Sequence, residues 1–236
     1  MYYKEKRLPF LPWDKIDTVL LDMDGTLLDL HFDNHFWIHH IPKKLAERSG
    51  KPLEICRAEM LAHYDRIMGQ IEWYCLDYWA KTLDMDIVAA KREIEHLIAM
   101  RDDTIPFLNA LKESGREVVL VTNAHPASLS LKVEHTRLDS HIDTLISTHE
   151  FGVTKESQSL WQQLQQRLQF NPNRTLFVDD SLVILESAKR FGIAHLLAVN
   201  NPDSQQAIKN ITQFPAVNDY RTMLDDIRQF PVGRGN

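Results

Sequence analysis

The chain has 236 residues, enough for one sizeable core plus a smaller inserted or appended domain. Its 25% charged and 44% apolar residues exclude global disorder, and a net charge of −6 gives no overall attraction for nucleic acid or an anionic membrane. No apolar run approaches the ~18 residues of a membrane helix. Cys56 and Cys75 cannot build a disulfide framework, and residues 1–13 are too short and too proline-broken for a signal-peptide core. A cytoplasmic protein with reduced thiols is expected.

In chain order, the first signal is the apolar run at residues 18–22, a strand that ends in Asp22. Residues 53–70 and 87–100 carry helical patterning, and a further helix at about 105–114 stops at Gly115, a residue suited to a helix C-terminus. Residues 117–122 form a short β-branched run of the kind a buried parallel strand requires. A weaker strand at 144–147 and an amphipathic helix at about 156–168, begun by Lys155, lead to the turn Asn171-Pro172-Asn173. A strand at 175–179 ends in acids, a helix at 182–191 stops at Gly192, and residues 195–199 supply the last strand. The tail from Pro231 to Asn236 reads as a frayed end. Strands alternating with helices predict an α/β fold, a doubly wound parallel sheet with helices on both faces.

One gap breaks this rhythm. A strand–helix–strand unit takes about 30 residues, yet the first strand ends near Asp24 and the next begins near Glu117. Residues 30–101 show helical patterning without a comparable strand signal. We read them as an all-helical cap inserted into a core made of residues 1–29 and 102–236, with hinges near Asp29 and Arg101.

The chemistry-bearing residues fall at predicted strand ends, where ligands sit in doubly wound sheets. Asp22 and Asp24 flank Met23 and precede Gly25, which turns the chain so that both acids approach one centre from different angles. Clustered carboxylates repel unless a cation is present, and hard oxygen ligands suit Mg²⁺. Asp179 and Asp180 repeat the arrangement; alone they read equally as the cap of a following helix. Convergence of all four acids requires the first and fourth strands to be neighbours. Thr122 and Asn123 could donate to phosphate oxygens or simply form a turn. Lys155 at a helix start opposes the dipole unless an anion is near; otherwise it is a surface charge.

Asp22-x-Asp24-Gly25-Thr26, Thr122, Lys155 and Asp179-Asp180, in this order, resemble the four motifs of the haloacid dehalogenase superfamily, over about residues 17–200. Lys155 is followed by Glu156, where many relatives carry proline. The resemblance implies that Asp22 is the nucleophile of a phosphoryl transfer through an aspartyl-phosphate. Asp24 then serves as general acid and base; dehalogenases of the superfamily typically lack this second aspartate. Thr122, Asn123 and Lys155 bind phosphate oxygens. Mg²⁺ is held by the Asp22 carboxylate, the Asp24 backbone carbonyl and the acids Asp179 and Asp180.

The cap region holds Trp37, Trp73, Trp79, Phe32, Phe36, Tyr64, Tyr74 and Tyr78. Such rings build small helical cores, and they also stack on nucleobases. Phe36 and Trp37 are the expected substrate contacts because they follow Asp22 and Asp24 closely. His31, His35 and His39 form one stripe if that segment is helical, which suits zinc less well than exposed or substrate-facing imidazoles. The whole sequence is similar to bacterial purine 5′-nucleotidases acting on GMP and IMP. This implies a small phosphomonoester, a nucleotide, as substrate, handled by a monomer or homodimer. A sugar-phosphate phosphatase or a phosphomutase of the β-phosphoglucomutase type is the alternative. A non-catalytic module on the same scaffold is disfavoured because all the motif acids and the lysine are present.

Overall fold

A computed structural model describes residues 10–233; the basic segment 1–7 and the last three residues of the tail lie outside the described residues. Six parallel strands form one sheet: β1 (Thr18–Leu21), β2 (Glu117–Thr122), β3 (Thr144–Ser147), β4 (Thr175–Asp179), β5 (His195–Val199) and β6 (Ala216–Val217), in the order β3-β2-β1-β4-β5-β6. Five of these carry the expected strand signals. β6 is a two-residue edge, too short to leave a pattern in the sequence. The order reverses between β1 and β4, so the switch point falls where two acidic strand tips lie side by side.

Residues 31–97 are helical. They contain α1 (His31–His35), a π-helical turn (Phe36–His40), α2 (Ile41–Ser49), α3 (Leu53–Ile67), α4 (Ile71–Tyr74), α5 (Leu76–Leu83), α6 (Ile87–Arg92) and a 3₁₀ turn (Glu95–Leu97). Their apolar side chains gather into a core of their own, with Phe32, Phe36, Met60, Tyr64, Trp79 and Ile87 buried together. The helix expected at 53–70 ends at Ile67, ahead of Gly69 with its left-handed φ of +81°. The helix expected at 87–100 stops at Arg92, because the chain must straighten to leave the cap. Met100 bridges Leu28, the Asp29 amide donates to Ala99 O at 2.9 Å, and the Arg101 amide to Leu27 O at 3.1 Å. The outgoing and returning connections are thus hydrogen-bonded to each other.

The remaining helices, α7 (Thr104–Glu113), α8 (Pro126–Thr136), α9 (Gln158–Leu168), α10 (Leu182–Phe191) and α11 (Leu224–Gln229), flank the sheet. Alternate strand residues face opposite layers, so nearly all are apolar. Val19, Leu21, Leu120 and Val178 pack on Phe107, Leu111 and Ile227; Leu20, Val119, Val121 and Phe177 pack on Leu160, Trp161 and Leu185. Each such buried side chain contributes about 1.5–3 kcal/mol. Among the described residues no helix is long and apolar enough to cross a membrane.

Candidate active site

Register brings the acids together. Leu21 pairs with Val178, and the Asp22 amide continues the ladder to Val178 O at 3.0 Å, which sets Asp22 level with Asp179. Lys155 Nζ, 1% exposed, donates to Asp22 Oδ1 at 2.5 Å and to Asp179 Oδ2 at 2.7 Å. Lys155 does not begin a helix. α9 starts at Gln158, capped by the Ser157 side chain, and Lys155 stands in the preceding loop, so the helix-dipole argument does not apply to it. The loop is held from below by Trp161, whose indole N–H donates to Lys155 O at 3.0 Å, and from the side by Asn123, whose Oδ1 accepts from the Lys155 amide at 2.9 Å. Thr26 Oγ1 donates to Asp22 Oδ2 at 3.2 Å.

Oxygens of Asp22, Asp179 and Asp180 lie within 4.8 Å of one another. Three carboxylates meet the buried charge of Lys155 and, at the rim, Lys209, whose Nζ lies 4.0 Å from Asp180 Oδ2, in a place where burial penalises ionisation. Burial, and after it the neighbouring Asp179, push Asp22 up to about 6 against the pull of Lys155. Burial raises Asp179 to about 6, with Asp180 adding to the effect. Burial and the charge of Asp22 raise Asp180 to about 7. An all-oxygen donor set with uncompensated negative charge fits a hard divalent cation. Gly25 makes the approach possible: its φ is +83°, and a Cβ there would stand 2.8 Å from Asp180 Cγ.

Asp24 turns elsewhere. Its carboxylate is outside the cluster of three and is met by Lys132 Nζ of α8, 2.6 Å from Oδ1. The same amine lies 2.5 Å from Asp33 Oδ2 of α1, and Lys91 Nζ of α6 lies 2.8 Å from Asp33 Oδ1. Of the expected metal ligands, Asp24 therefore brings no side chain to the cluster; only its backbone carbonyl is left for that role. Burial, opposed by Lys132, raises Asp24 to about 6. Burial works against ionisation of Asp33 too, but Lys132 and Lys91 outweigh it and hold this carboxyl well below the usual range.

Asn123 lines the cavity and also braces its wall. Its Oδ1 accepts from Thr148 Oγ1 at 3.0 Å as well, and its Nδ2 donates to Glu156 Oε2 at 3.1 Å, so the amide holds the Lys155 loop in place. Glu156, at the position where many relatives have proline, also accepts from Tyr74 Oη of the cap at 3.0 Å. Thr122 lies buried and lines the same cavity as Asp22, its Oγ1 accepting from the Ala124 amide at 3.0 Å.

With this geometry in view, comparison with known proteins is decisive at the family level. A sequence profile of the haloacid dehalogenase-like hydrolases matches residues 16–192. The chain belongs to that family. It is similar to the GMP/IMP nucleotidase YrfG of Escherichia coli K12, 46% identical over 217 residues, 92% of this chain and 98% of that protein. It is 28% identical over 199 residues to (S)-2-haloacid dehalogenase 4A of Burkholderia cepacia, covering 76% of this chain and 81% of the other. A haloacid dehalogenase phosphatase from Thermococcus onnurineus shares the fold, with a TM-score of 0.76 at 21% identity over 92% of this chain and 100% of that one.

In this haloacid dehalogenase-like hydrolase a cavity of about 410 Å³ lies between the strand tips and the helical region, within the range of small-ligand sites. Asp22, Thr122 and Lys155 form its floor; Trp37, Tyr64, Trp73 and Tyr74 line its walls. Trp37 faces the cavity as expected, whereas Phe36 does not. Phe36 is 0% exposed in the helical core, because neighbours on a helix point about 100° apart and the larger apolar cluster claims one of the two. His31, His35 and His39 do form a helical stripe, with successive ring centroids 5.7 and 5.4 Å apart, but among the described residues they make no converging ligand group. Cys75, His125 and His149 do converge. There, however, His125 Nδ1 accepts from the Ala127 amide at 3.2 Å, so a neutral ring carries its proton on Nε2 and has no spare lone pair.

Proposed function

We propose that this protein is a Mg²⁺-dependent phosphomonoester hydrolase that works through an aspartyl-phosphate on Asp22, with purine nucleoside 5′-monophosphates, GMP and IMP, as substrates. The observation that carries the reading is the Asp22 carboxylate held at the cavity floor by Lys155, with Asp24 two residues on and fixed separately by Lys132. Mg²⁺ fits the Asp22, Asp179 and Asp180 carboxylates and the Asp24 carbonyl, and its charge offsets the repulsion between an anionic nucleophile and an anionic ester.

The chain's own residues do the rest. Asp22 attacks phosphorus, forming the acyl-phosphate bond as the ester P–O bond breaks. Asp24, pushed up to about 6, gives its proton to the departing ribose 5′-oxygen near neutral pH. It then takes a proton from the water that attacks the phosphoenzyme, releasing phosphate and regenerating Asp22. Lys155 and Thr122 contact the transferring oxygens, where a fixed ammonium stabilises charge spread over the phosphoryl group. Asn123 acts through Lys155 by bracing its loop. Residues 30–101 act as the cap, residues 1–29 and 102–236 as the core, and the protein works in the cytoplasm as a monomer or homodimer. The paired connections at Leu28 and Met100 serve as the hinge.

The aromatic wall favours a nucleobase over a hexose, since Trp37, Trp73 and Tyr74 present flat faces. The activity for which the E. coli relative is named points the same way. The test is a panel of phosphorylated metabolites with Mg²⁺. IMP and GMP are expected to be turned over far faster than hexose phosphates; hexose phosphates alone being turned over would overturn the nucleotide reading in favour of a sugar-phosphate phosphatase or mutase.

A further inference from the structure

Three lysines line the cavity with 1% exposure each, and the proposed chemistry uses only Lys155. Lys132 and Lys91 belong to a separate row of alternating charge, Asp24–Lys132–Asp33–Lys91, with successive oxygen–nitrogen distances of 2.6, 2.5 and 2.8 Å. Taking an ammonium out of water is costly unless close counter-charges and hydrogen bonds offset it. Here two ammonium groups meet two carboxylates whose side chains are only 20% and 18% exposed, so the row is neutral as a whole.

The row also crosses the cavity. Asp24 follows β1 and Lys132 lies on α8, beside the sheet; Asp33 lies on α1 and Lys91 on α6, both in the helical region. Lys91 is further fixed by the rings of Phe32 and Phe36, whose centroids lie 4.8 and 4.6 Å from Nζ. Parting the two halves breaks the row at one place, between Lys132 and Asp33. Each half then keeps one lysine and one carboxylate, and no charge is stranded. When the halves meet, Lys132 gains its second carboxylate, and its long flexible stem is held at both sides. It then fixes Asp24 by Oδ1, which leaves Oδ2 for the proton.

We propose that Lys132 is a positioning residue for Asp24: clamped by Asp33 when the cap shuts, it sets the Asp24 carboxylate for proton transfer, and it relaxes that restraint when the cap opens. This rests on the assignment of proton transfer to Asp24 and not on the identity of the natural substrate. Lysine suits the task because a compact ammonium with three donors can bridge two carboxylates in different directions.

The test uses single-turnover release of the leaving group from two aryl esters in the full-length enzyme with Mg²⁺. p-Nitrophenolate departs without a proton; the phenolate of phenyl phosphate needs one. Lys132→Met is expected to slow phenol release about 10- to 100-fold, part of the 10²–10⁴-fold that general acid catalysis supplies, while p-nitrophenolate release stays within about threefold. Adding Lys132→Met to Asp24→Asn is expected to cause no further loss, because the lysine acts only through that carboxylate. The charge-balanced pair Asp33→Asn with Lys91→Met should show the same bias towards the nitrophenyl ester, smaller in size. That pair also carries the test if Lys132→Met fails to fold. Equal slowing of both esters, a further loss on top of Asp24→Asn, or no bias in the charge-balanced pair overturns the proposal. Neither ester is a nucleotide, so failure of the nucleotidase reading leaves this test intact. If Asp24→Asn itself slows both esters equally, the error lies in the acid role of Asp24, and the proposal goes with it.

Discussion

At the scale of single residues, the site depends on which oxygen each carboxylate has free. Asp22 has Oδ1 on Lys155 and Oδ2 on Thr26, a posture that holds the proposed nucleophile in one orientation. Replacing Asp22 by Asn keeps the shape and both polar positions but removes the anion. Asp22→Asn is expected to lose all measurable turnover while far-UV circular dichroism and the melting transition stay close to those of the parent; retained turnover would falsify the nucleophile assignment. Of these residue-level features, Asp22, Asp24, Thr122, Lys155, Asp179 and Asp180 were legible because they sit in a recognisable order at strand ends. Lys132, Lys91 and Asp33 were not. A lysine inside an amphipathic helix looks the same in sequence whether it meets water or a buried carboxylate, and an aspartate in the first turn of a helix carries no more local signal than that.

At the scale of elements, the π-helical turn Phe36–His40 carries two adjacent aromatic residues with different duties. Phe36 belongs to the helical core and Trp37 to the cavity wall. Phe36→Ala is therefore expected to cost about 3–5 kcal/mol of stability, read as a lowered denaturant midpoint. Trp37→Ala should leave the midpoint less disturbed and lower kcat/KM for IMP by about 10-fold, as loss of about 1–3 kcal/mol of base stacking implies, with little change for p-nitrophenyl phosphate. If the two variants behave alike, the division of roles is wrong. The loop before α9 is a second case. The amphipathic pattern located the helix, but it starts at Gln158, three residues later than Lys155 suggested, and the preceding chain is shaped by Trp161 and by Asn123, which is distant in sequence.

At the scale of the whole molecule, the strand tips form a store of unfavourable negative charge that a divalent cation would relieve. Asp22, Asp179 and Asp180 have pKa values raised to about 6, 6 and 7 in the folded chain without metal. A raised carboxyl binds more protons folded than unfolded between the unfolded and folded values, so these groups make the metal-free protein more stable as pH falls from about 7 towards 4. Cation binding needs them ionised, so the two effects oppose each other. The rise in melting temperature produced by Mg²⁺ is expected to be largest at about pH 8 and to shrink as pH drops through about 7 to 6, vanishing near pH 5. A pH-independent increment over that window would show that the metal binds elsewhere.

The sequence by itself determined the α/β class, five of the six strands, the helical character of residues 31–97 and the acids at the strand tips. Each of these is written in local terms, as apolar runs of a given period and acids at their ends. Only the tertiary structure decided that β1 and β4 adjoin, that Phe36 turns inward while Trp37 faces the cavity, that Asn123 braces a loop and that Lys132 ties Asp24 to Asp33. Those facts depend on which distant segments share a buried space, where an unpaired charge or amide is costly and must find its partner across the fold.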